Sequence, residues 1–208
     1  MVILCHRGFW GRSVPANSLQ ALKASLESGF GFESDLRDYQ GRLVIAHNIA
    51  EEISPAAEQV FAYLQEYSDR YCFAVNIKAD GLKDQLAGLL KKYHIKNYFA
   101  FDMSVPQMIE YRDMGITYFT RQSEHECAPV LYADAAGVWI DAFEDDAWVT
   151  ERLIEEHVKN GKKVCLVSPD LHGRDPAEFW ARLKKAGSSE QVMLCTDRPI
   201  EADQYFNP

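Results

Sequence analysis

The sequence has no Cys-x-x-Cys pair, no G-x-G-x-x-G after its first apolar run, no low-complexity segment and no apolar stretch of bilayer length. Each absence excludes a class. Without paired cysteine spacing, the five cysteines (Cys5, Cys72, Cys127, Cys165 and Cys195) offer neither a zinc ribbon nor a disulfide framework. Four of them sit in apolar runs and read as small buried hydrophobes kept reduced. The missing glycine fingerprint removes the strongest reason to expect a dinucleotide fold. Positive charge is also scarce: 22 basic residues face 31 acidic ones, and a net charge of -9 repels nucleic acid phosphates where no local basic patch opposes it. No such patch is visible. Met1 to Cys5 is too short for the apolar part of a signal peptide and runs into polar His6 and Arg7, so a soluble cytoplasmic protein with no membrane span is expected.

What is present is an ordinary globular composition, 47% apolar and 25% charged over 208 residues. The length suits one domain, 1–208, near the lower end of what a closed barrel of eight β/α units needs. Short apolar runs alternate with amphipathic stretches, the pattern of parallel strands joined by helical crossovers. Eight runs read as strands: Val2 to Cys5, Gly31 to Asp35, Cys72 to Ile77, Tyr98 to Phe101, Tyr118 to Thr120, Gly137 to Ile140, Lys163 to Val167 and Val192 to Cys195. Ser18 to Ser28 predicts a helix with Asn17 as N-cap and Gly29 past its end. Leu82, Leu86 and Leu89 mark a second helix; Val149, Leu153 and Ile154 a third ending at Gly161; Phe179 and Leu183 a fourth ending at Gly187. Between Arg121 and Ala136 a loop or short helix is expected.

Periodicity does not separate a closed barrel from an open sheet, but the strand ends favour the barrel. Nearly all end in polar or ionisable residues, as at His6-Arg7, Glu33-Ser34-Asp35, Asn76-Ile77-Lys78, Phe101-Asp102, Ile140-Asp141 and Thr196-Asp197. A barrel gathers such ends on one rim, where enzymes of this architecture place their chemistry. The expected fold is therefore a TIM-type (β/α)8 barrel with a β-hairpin extension after the second strand.

Glu33 and Asp35 lie one residue apart in a strand, so both carboxylates leave the same face and can share a hard cation such as Mg²⁺ or Ca²⁺. The segment from Asp35 to His47 reads as a hairpin turning at Gly41, which brings His47 roughly opposite Asp35. Asn76 and Lys78 repeat the spacing on another strand and aim an amide and an ammonium at the same mouth. His6, Arg7 and Gly8 complete the set. Carboxylates, a metal and cationic side chains together suit a phosphate ester better than a neutral substrate.

These segments resemble the signature of the glycerophosphodiester phosphodiesterase family: His6-Arg7-Gly8, Pro15-Ala16-Asn17-Ser18-Leu19, Glu33-Ser34-Asp35-Leu36 and Leu43-Val44-Ile45-Ala46-His47 follow its H-R-G, P-E-N-[ST]-L, E-x-D and L-V-x-x-H blocks in order and spacing. Asn76-Ile77-Lys78, Phe101-Asp102 and Thr196-Asp197-Arg198-Pro199 are similar to its E-x-K, S-F-D and T-D-[RK]-P segments. The resemblance implies a metal-dependent phosphodiesterase that cleaves a glycerophosphodiester-like small molecule to a phosphomonoester and an alcohol. It implies His6 and His47 as general acid and base, Arg7 and Lys78 as phosphate ligands, and Glu33, Asp35 and Asn76 around a Mg²⁺ or Ca²⁺ ion, with Mn²⁺ as a third candidate.

The chain departs from that pattern at Asn76, where the family has a carboxylate, and after His47-Asn48, where Ile49 to Ser54 is shorter than the family's usual covering insertion. An open site with weaker metal binding follows. Phe101, Trp139 and Asp141 are candidates to line a substrate pocket, while His94, His125, His157 and His172 are given no chemistry. Two alternatives stay open: a barrel that only binds a phosphorylated ligand, and lyase-type cleavage that yields a cyclic phosphate.

Overall fold

The computed structural model describes residues 1–67, 69–185 and 190–208. The chain divides into two compact units, one of residues 5–118 and one of residues 1–4 with 119–208. The first strand, β1 (Val2–His6), is shared by this division, its last two residues counting with the first unit.

In the unit of residues 5–118, α1 (Leu19–Glu27) is followed by β2 (Gly31–Tyr39), β3 (Arg42–Ile45), α2 (Ala57–Leu64), β4 (Phe73–Ile77), α3 (Lys83–Lys92), β5 (Tyr98–Phe101) and α4 (Val105–Asp113). β2, β4 and β5 form parallel neighbours, and β3 pairs antiparallel with the far half of β2. β2 therefore runs past the expected end at Asp35, because the returning β3 supplies ladder partners as far as Tyr39. The turn between them has Gln40 at φ 49 and Gly41 at φ 76, the paired left-handed residues that let a two-residue turn follow the twist of its strands. α1 buries Ala21, Leu22, Ser25 and Leu26, the stripe expected from its spacing. Its N-cap is Ser18, whose Oγ accepts the N–H of Ala21 at 3.1 Å, and not Asn17. Asn17 has φ 60 and its amide is used elsewhere. Gly8 (φ 88) crosses α1 so closely that an added Cβ would lie 2.7 Å from the carbonyl carbon of Ala21, so this close approach requires glycine.

The second unit contains β6 (Phe119–Gln122), β7 (Gly137–Ile140), α5 (Glu151–Lys159), β8 (Lys163–Val167), α6 (Ala177–Lys185), β9 (Val192–Thr196) and α7 (Pro199–Phe206), with β6 to β9 parallel in chain order. β6 continues to Gln122, two residues past the apolar run. This polar residue stays in the strand because its side chain is satisfied on both sides: its Nε2 donates to the Cys127 carbonyl at 3.0 Å and its Oε1 lies 2.8 Å from Nε2 of His157. Residues 123–136 hold turns and no helix. Gly137 is fixed by packing, since a Cβ there would come within 2.5 Å of both the Lys163 carbonyl and the Phe119 ring.

The four expected helices are present. Gly187, expected to end α6, lies outside the described residues. α2, α4 and α7 are additions to the sequence reading; α4 and α7 carry proline in the first turn, where its missing N–H costs nothing. α4 escapes notice because its buried face is made of Gln107, Met108 and Tyr111 and is not uniformly apolar. Cys5, Cys72, Cys165 and Cys195 are buried, and Cys127 is exposed. Among the described residues no helix is long and apolar enough to cross a membrane.

Candidate active site

The chemistry-bearing residues of the unit 5–118 converge on one carboxylate. Asp35 sits mid-strand in β2 and is 1% exposed. Its Oδ1 lies 3.3 Å from Nδ1 of His47 and 3.4 Å from Nζ of Lys78, and its Oδ2 lies 3.4 Å from Nε of Arg7 and accepts the Nδ2–H of Asn17 at 2.7 Å. Three segments deliver these groups. Arg7 and Asn17 come from the turn after β1, where left-handed backbone at both positions bends the chain back over the strand end. A 2.8 Å bond from the Asn17 N–H to the Arg7 carbonyl ties the two together. His47 arrives by the hairpin: the register pairs Leu36 with Ile45, and the Ala46 N–H donates to the Asp35 carbonyl at 3.0 Å, which leaves the next residue beside the Asp35 side chain. Asn76 is the direct neighbour of Asp35 across β2 and β4, and Lys78 follows two residues later on the same face. Lys78 also reaches Oδ2 of Asp102, which follows β5 at φ 74, at 3.4 Å.

Glu33 is 2% exposed, and its Oε2 accepts the backbone N–H of Arg7 at 3.1 Å. Burial and the negative charge of Asp35 push its carboxyl up to about 7, against the opposing pull of His6, Arg7 and Lys78. Asp35 is buried as well, which alone would raise its carboxyl. Lys78, the Asn17 hydrogen bond, Arg7 and His47 outweigh that penalty and hold it below the usual carboxylate range. The two carboxyls are thus pushed in opposite directions, Glu33 up by burial and by Asp35, Asp35 down by its cationic neighbours.

His6 is the last residue of β1, and its backbone is held by the Trp10 indole N–H, which donates to the His6 carbonyl at 2.9 Å. His47 has two incompatible uses for Nδ1. Protonated, that nitrogen donates to Asp35 at 3.3 Å; unprotonated, it accepts from Nη2 of Arg7 at 3.0 Å. Nε2 stands 3.3 Å from the same guanidinium nitrogen and can accept from it when Nδ1 carries the proton, so the tautomer that donates to Asp35 uses both ring nitrogens.

Whether the donors suit a hard divalent cation turns on Glu33, Asp35 and Asn76. The Oδ1 of Asn76 is buried and accepts no hydrogen bond among the described residues, and it lies on the strand face that carries Asp35. Two carboxylates and an unsatisfied amide oxygen are the donor type that Mg²⁺ and Ca²⁺ prefer. They fit the ion, with one charge fewer than three carboxylates would give. Among the described residues no group of three His, Cys, Asp or Glu side chains is placed to hold a metal.

The remaining candidates behave differently. Phe101 is fully buried and its ring lies tilted against that of Phe99 at 5.8 Å, so it packs as a core side chain of its unit. Trp139 and Asp141 belong to the second unit. Trp139 is 6% exposed in β7, and Asp141 binds Nε2 of His172 at 2.7 Å. Sequence reading missed the roles of Asn17, Ser34 and Asp102. Ser34 donates to Oδ1 of Asn17 at 2.8 Å, so the amide is held at both ends. The positive φ of Asn17, which asparagine tolerates better than most residues, was the available signal.

The sequence matches no protein-family model and no curated protein. Solved structures do match. A phosphodiesterase from Oleispira antarctica, in complex with the product sn-glycerol-3-phosphate, superposes with a TM-score of 0.76 at 14% identity over 100% of this chain and 97% of its own. Two proteins from Parabacteroides distasonis do likewise. A glycerophosphoryl diester phosphodiesterase gives 0.73 at 13% identity, covering 98% of this chain and 85% of its own. A glycerophosphodiester phosphodiesterase gives 0.70 at 14%, covering 99% and 96%. The fold they share with this chain is the TIM-type β/α barrel.

Proposed function

We propose that this chain is a metal-dependent phosphodiesterase that cleaves a small glycerophosphodiester-like substrate to a phosphomonoester and an alcohol. The observation that carries the reading is the gathering of Arg7, His47 and Lys78 on the buried Asp35, two strand residues from Glu33. Three segments of chain deliver cationic or proton-carrying groups to a single carboxylate, an arrangement costly in desolvation unless an anionic substrate uses it. The likeness in fold to three phosphodiesterases of this kind supports the same reading.

In this mechanism Arg7 and Lys78 hold the two non-bridging phosphate oxygens and balance the charge that builds on them during in-line displacement. Asp35 orients both cations and His47. One histidine takes the proton of the attacking water while the other protonates the departing alkoxide, which is otherwise too basic to leave quickly. The contact of His47 Nδ1 with Asp35 orients the ring for either task. A divalent cation, Mg²⁺ or Ca²⁺ with Mn²⁺ as a third candidate, would be held by Glu33, Asp35 and Asn76 and would supply Lewis-acid polarisation of the phosphoryl group.

A binding-only barrel is the second reading, and the amide at Asn76 favours it because it weakens the cation site. Incubation with glycerophosphodiesters and bis-p-nitrophenyl phosphate in the presence of Mg²⁺, Mn²⁺ or Ca²⁺ separates the two. Release of phosphomonoester carrying solvent ¹⁸O is the expected result. Tight phosphate binding without turnover of any substrate would favour the binding-only barrel.

A further inference from the structure

Glu33, Asp35 and Arg37 occupy every second position of β2 and leave the strand on one face. The first two belong to the site already described. Arg37 does not touch them; its Nε and Nη2 both donate to the carbonyl oxygen of His47, each at 3.2 Å. This two-pronged contact falls where the sheet no longer fixes the chain. β3 ends at Ile45, the bond from Ala46 to the Asp35 carbonyl is the last ladder-like contact, and the loop beyond carries Ile49 and Ile53 at 87% exposure. The His47 ring itself is 41% exposed, with polar partners on only one side. A planar guanidinium with two donors fixes the orientation of a peptide carbonyl better than any single donor, because both bonds must rotate together.

We propose that Arg37 is a positioning residue for His47: its clamp sets the peptide plane of His47 and so the direction in which the imidazole enters the site. The proposal rests on the phosphodiesterase reading for its effect on rate, but the clamp itself is independent of it. The competing role is purely structural, with Arg37 stapling the end of the hairpin without influence on the chemistry. The two roles differ in one respect. A positioning residue acts through His47 and is silent once the imidazole is gone, whereas a staple costs the same in any background.

The experiment is a double-mutant cycle with Arg37→Ala and His47→Ala, assayed with saturating divalent cation on a glycerophosphodiester that the parent cleaves. Arg37→Ala is expected to lower kcat by about tenfold or more with KM within about threefold, since misplacement of a reacting group by a fraction of an ångström costs rate more than binding. Arg37→Lys, which keeps the charge but not the fork, is expected to fall between, and added guanidinium ion is expected to restore part of the Arg37→Ala loss. In the His47→Ala background the same substitution is expected to change kcat by less than about twofold. A folded Arg37→Ala protein with parental kcat, or an equal loss in both backgrounds, would overturn the proposal. Should Arg37→Ala not fold, Arg37→Lys carries the cycle. If the parent cleaves no phosphodiester, the clamp is read by the imidazole ¹³C and ¹⁵N resonances of His47: a shift of these ring signals in Arg37→Lys supports it, and unchanged ring signals overturn it.

Discussion

Asn17 donates its side-chain amide to Oδ2 of Asp35 at 2.7 Å while its backbone sits at φ 60, so one residue both bends the chain and serves the buried carboxylate. The two contributions separate by substitution. Asn17→Gly keeps access to the left-handed backbone and removes the amide; Asn17→Ala removes the amide and adds strain. A hydrogen bond to a charged group is worth about 1.5–3 kcal/mol, and left-handed backbone costs a residue with a Cβ about 1–2 kcal/mol. Urea denaturation is expected to show the alanine variant less stable than the glycine variant by about 1 kcal/mol, and both less stable than the parent. Equal midpoints for the two variants would remove the backbone part of this account.

His6→Ala and His47→Ala are each expected to lower kcat by about a hundredfold or more while leaving the fold intact, the usual loss for a general acid or base. The assay should include a p-nitrophenyl leaving group, which departs without a proton. The variant lacking the acid is expected to recover most of its rate on that substrate, and the variant lacking the base is not. Near-parental turnover by either variant on the alkyl diester removes that histidine from the mechanism.

On the proposed reading, activity is expected to disappear in excess EDTA and to return with a divalent cation, since carboxylates at Asp35 and Glu33 without shielding would repel a phosphate bound beside them. Asn76→Glu is expected to bind the cation more tightly by calorimetry, because the new carboxylate lies next to Asp35 across the β2–β4 ladder. Turnover need not rise, as a more neutralised cation polarises the phosphate less. Unchanged metal affinity in a folded variant would show that Asn76 contributes no ligand.

His157 gives a stability prediction that does not depend on the active site. It is 7% exposed, its Nε2–H donates to Gln122 at 2.8 Å, and its Nδ1 accepts from the Tyr132 hydroxyl at 2.9 Å. Burial holds it below the usual histidine value, outweighing the opposite pull of Glu156. Because the folded protein binds this proton less readily than the unfolded chain, the stabilisation is whole above the ordinary histidine value of 6.5 and is lost as pH falls through the depressed folded value. The slope cannot exceed about 1.4 kcal/mol per pH unit for one proton. Urea midpoints between pH 7.5 and 5.5 are expected to fall more steeply for the parent than for His157→Gln. Parallel curves would show that His157 does not carry the dependence.

Much of this architecture is legible in the sequence because it rests on period and punctuation. Strand positions follow from short apolar runs, and the hairpin follows from Gln40-Gly41 between two of them. The opposition of Asp35 and His47 follows from that turn. The assignment of Asn17 as a helix cap was wrong for a physical reason: Asn17 and Ser18 are both good caps, and only the fold reveals that a carboxylate competes for the asparagine. The extension of β6 to Gln122 was equally hidden, since a polar residue stays in a strand only when distant groups such as His157 satisfy it. The clamp of Arg37 leaves no trace in spacing, because its acceptor is a backbone carbonyl that any residue would present.

The hairpin also shapes how the site comes into being. The contact between His47 and Asp35 closes a loop of only 12 residues, whereas that between His47 and Arg7 spans 40. Closing the longer loop costs about 1 kcal/mol more in chain entropy, and it cannot bring its ends together productively until β2 has a partner. The acidic and imidazole halves of the site therefore belong to one local element that forms early, and the guanidinium joins it late. A nascent or partly unfolded chain would hold an Asp–His pair without its guanidinium, and recruitment of Arg7 would mark the point at which the buried carboxylate gains its most distant partner in sequence among His47, Asn17 and Arg7.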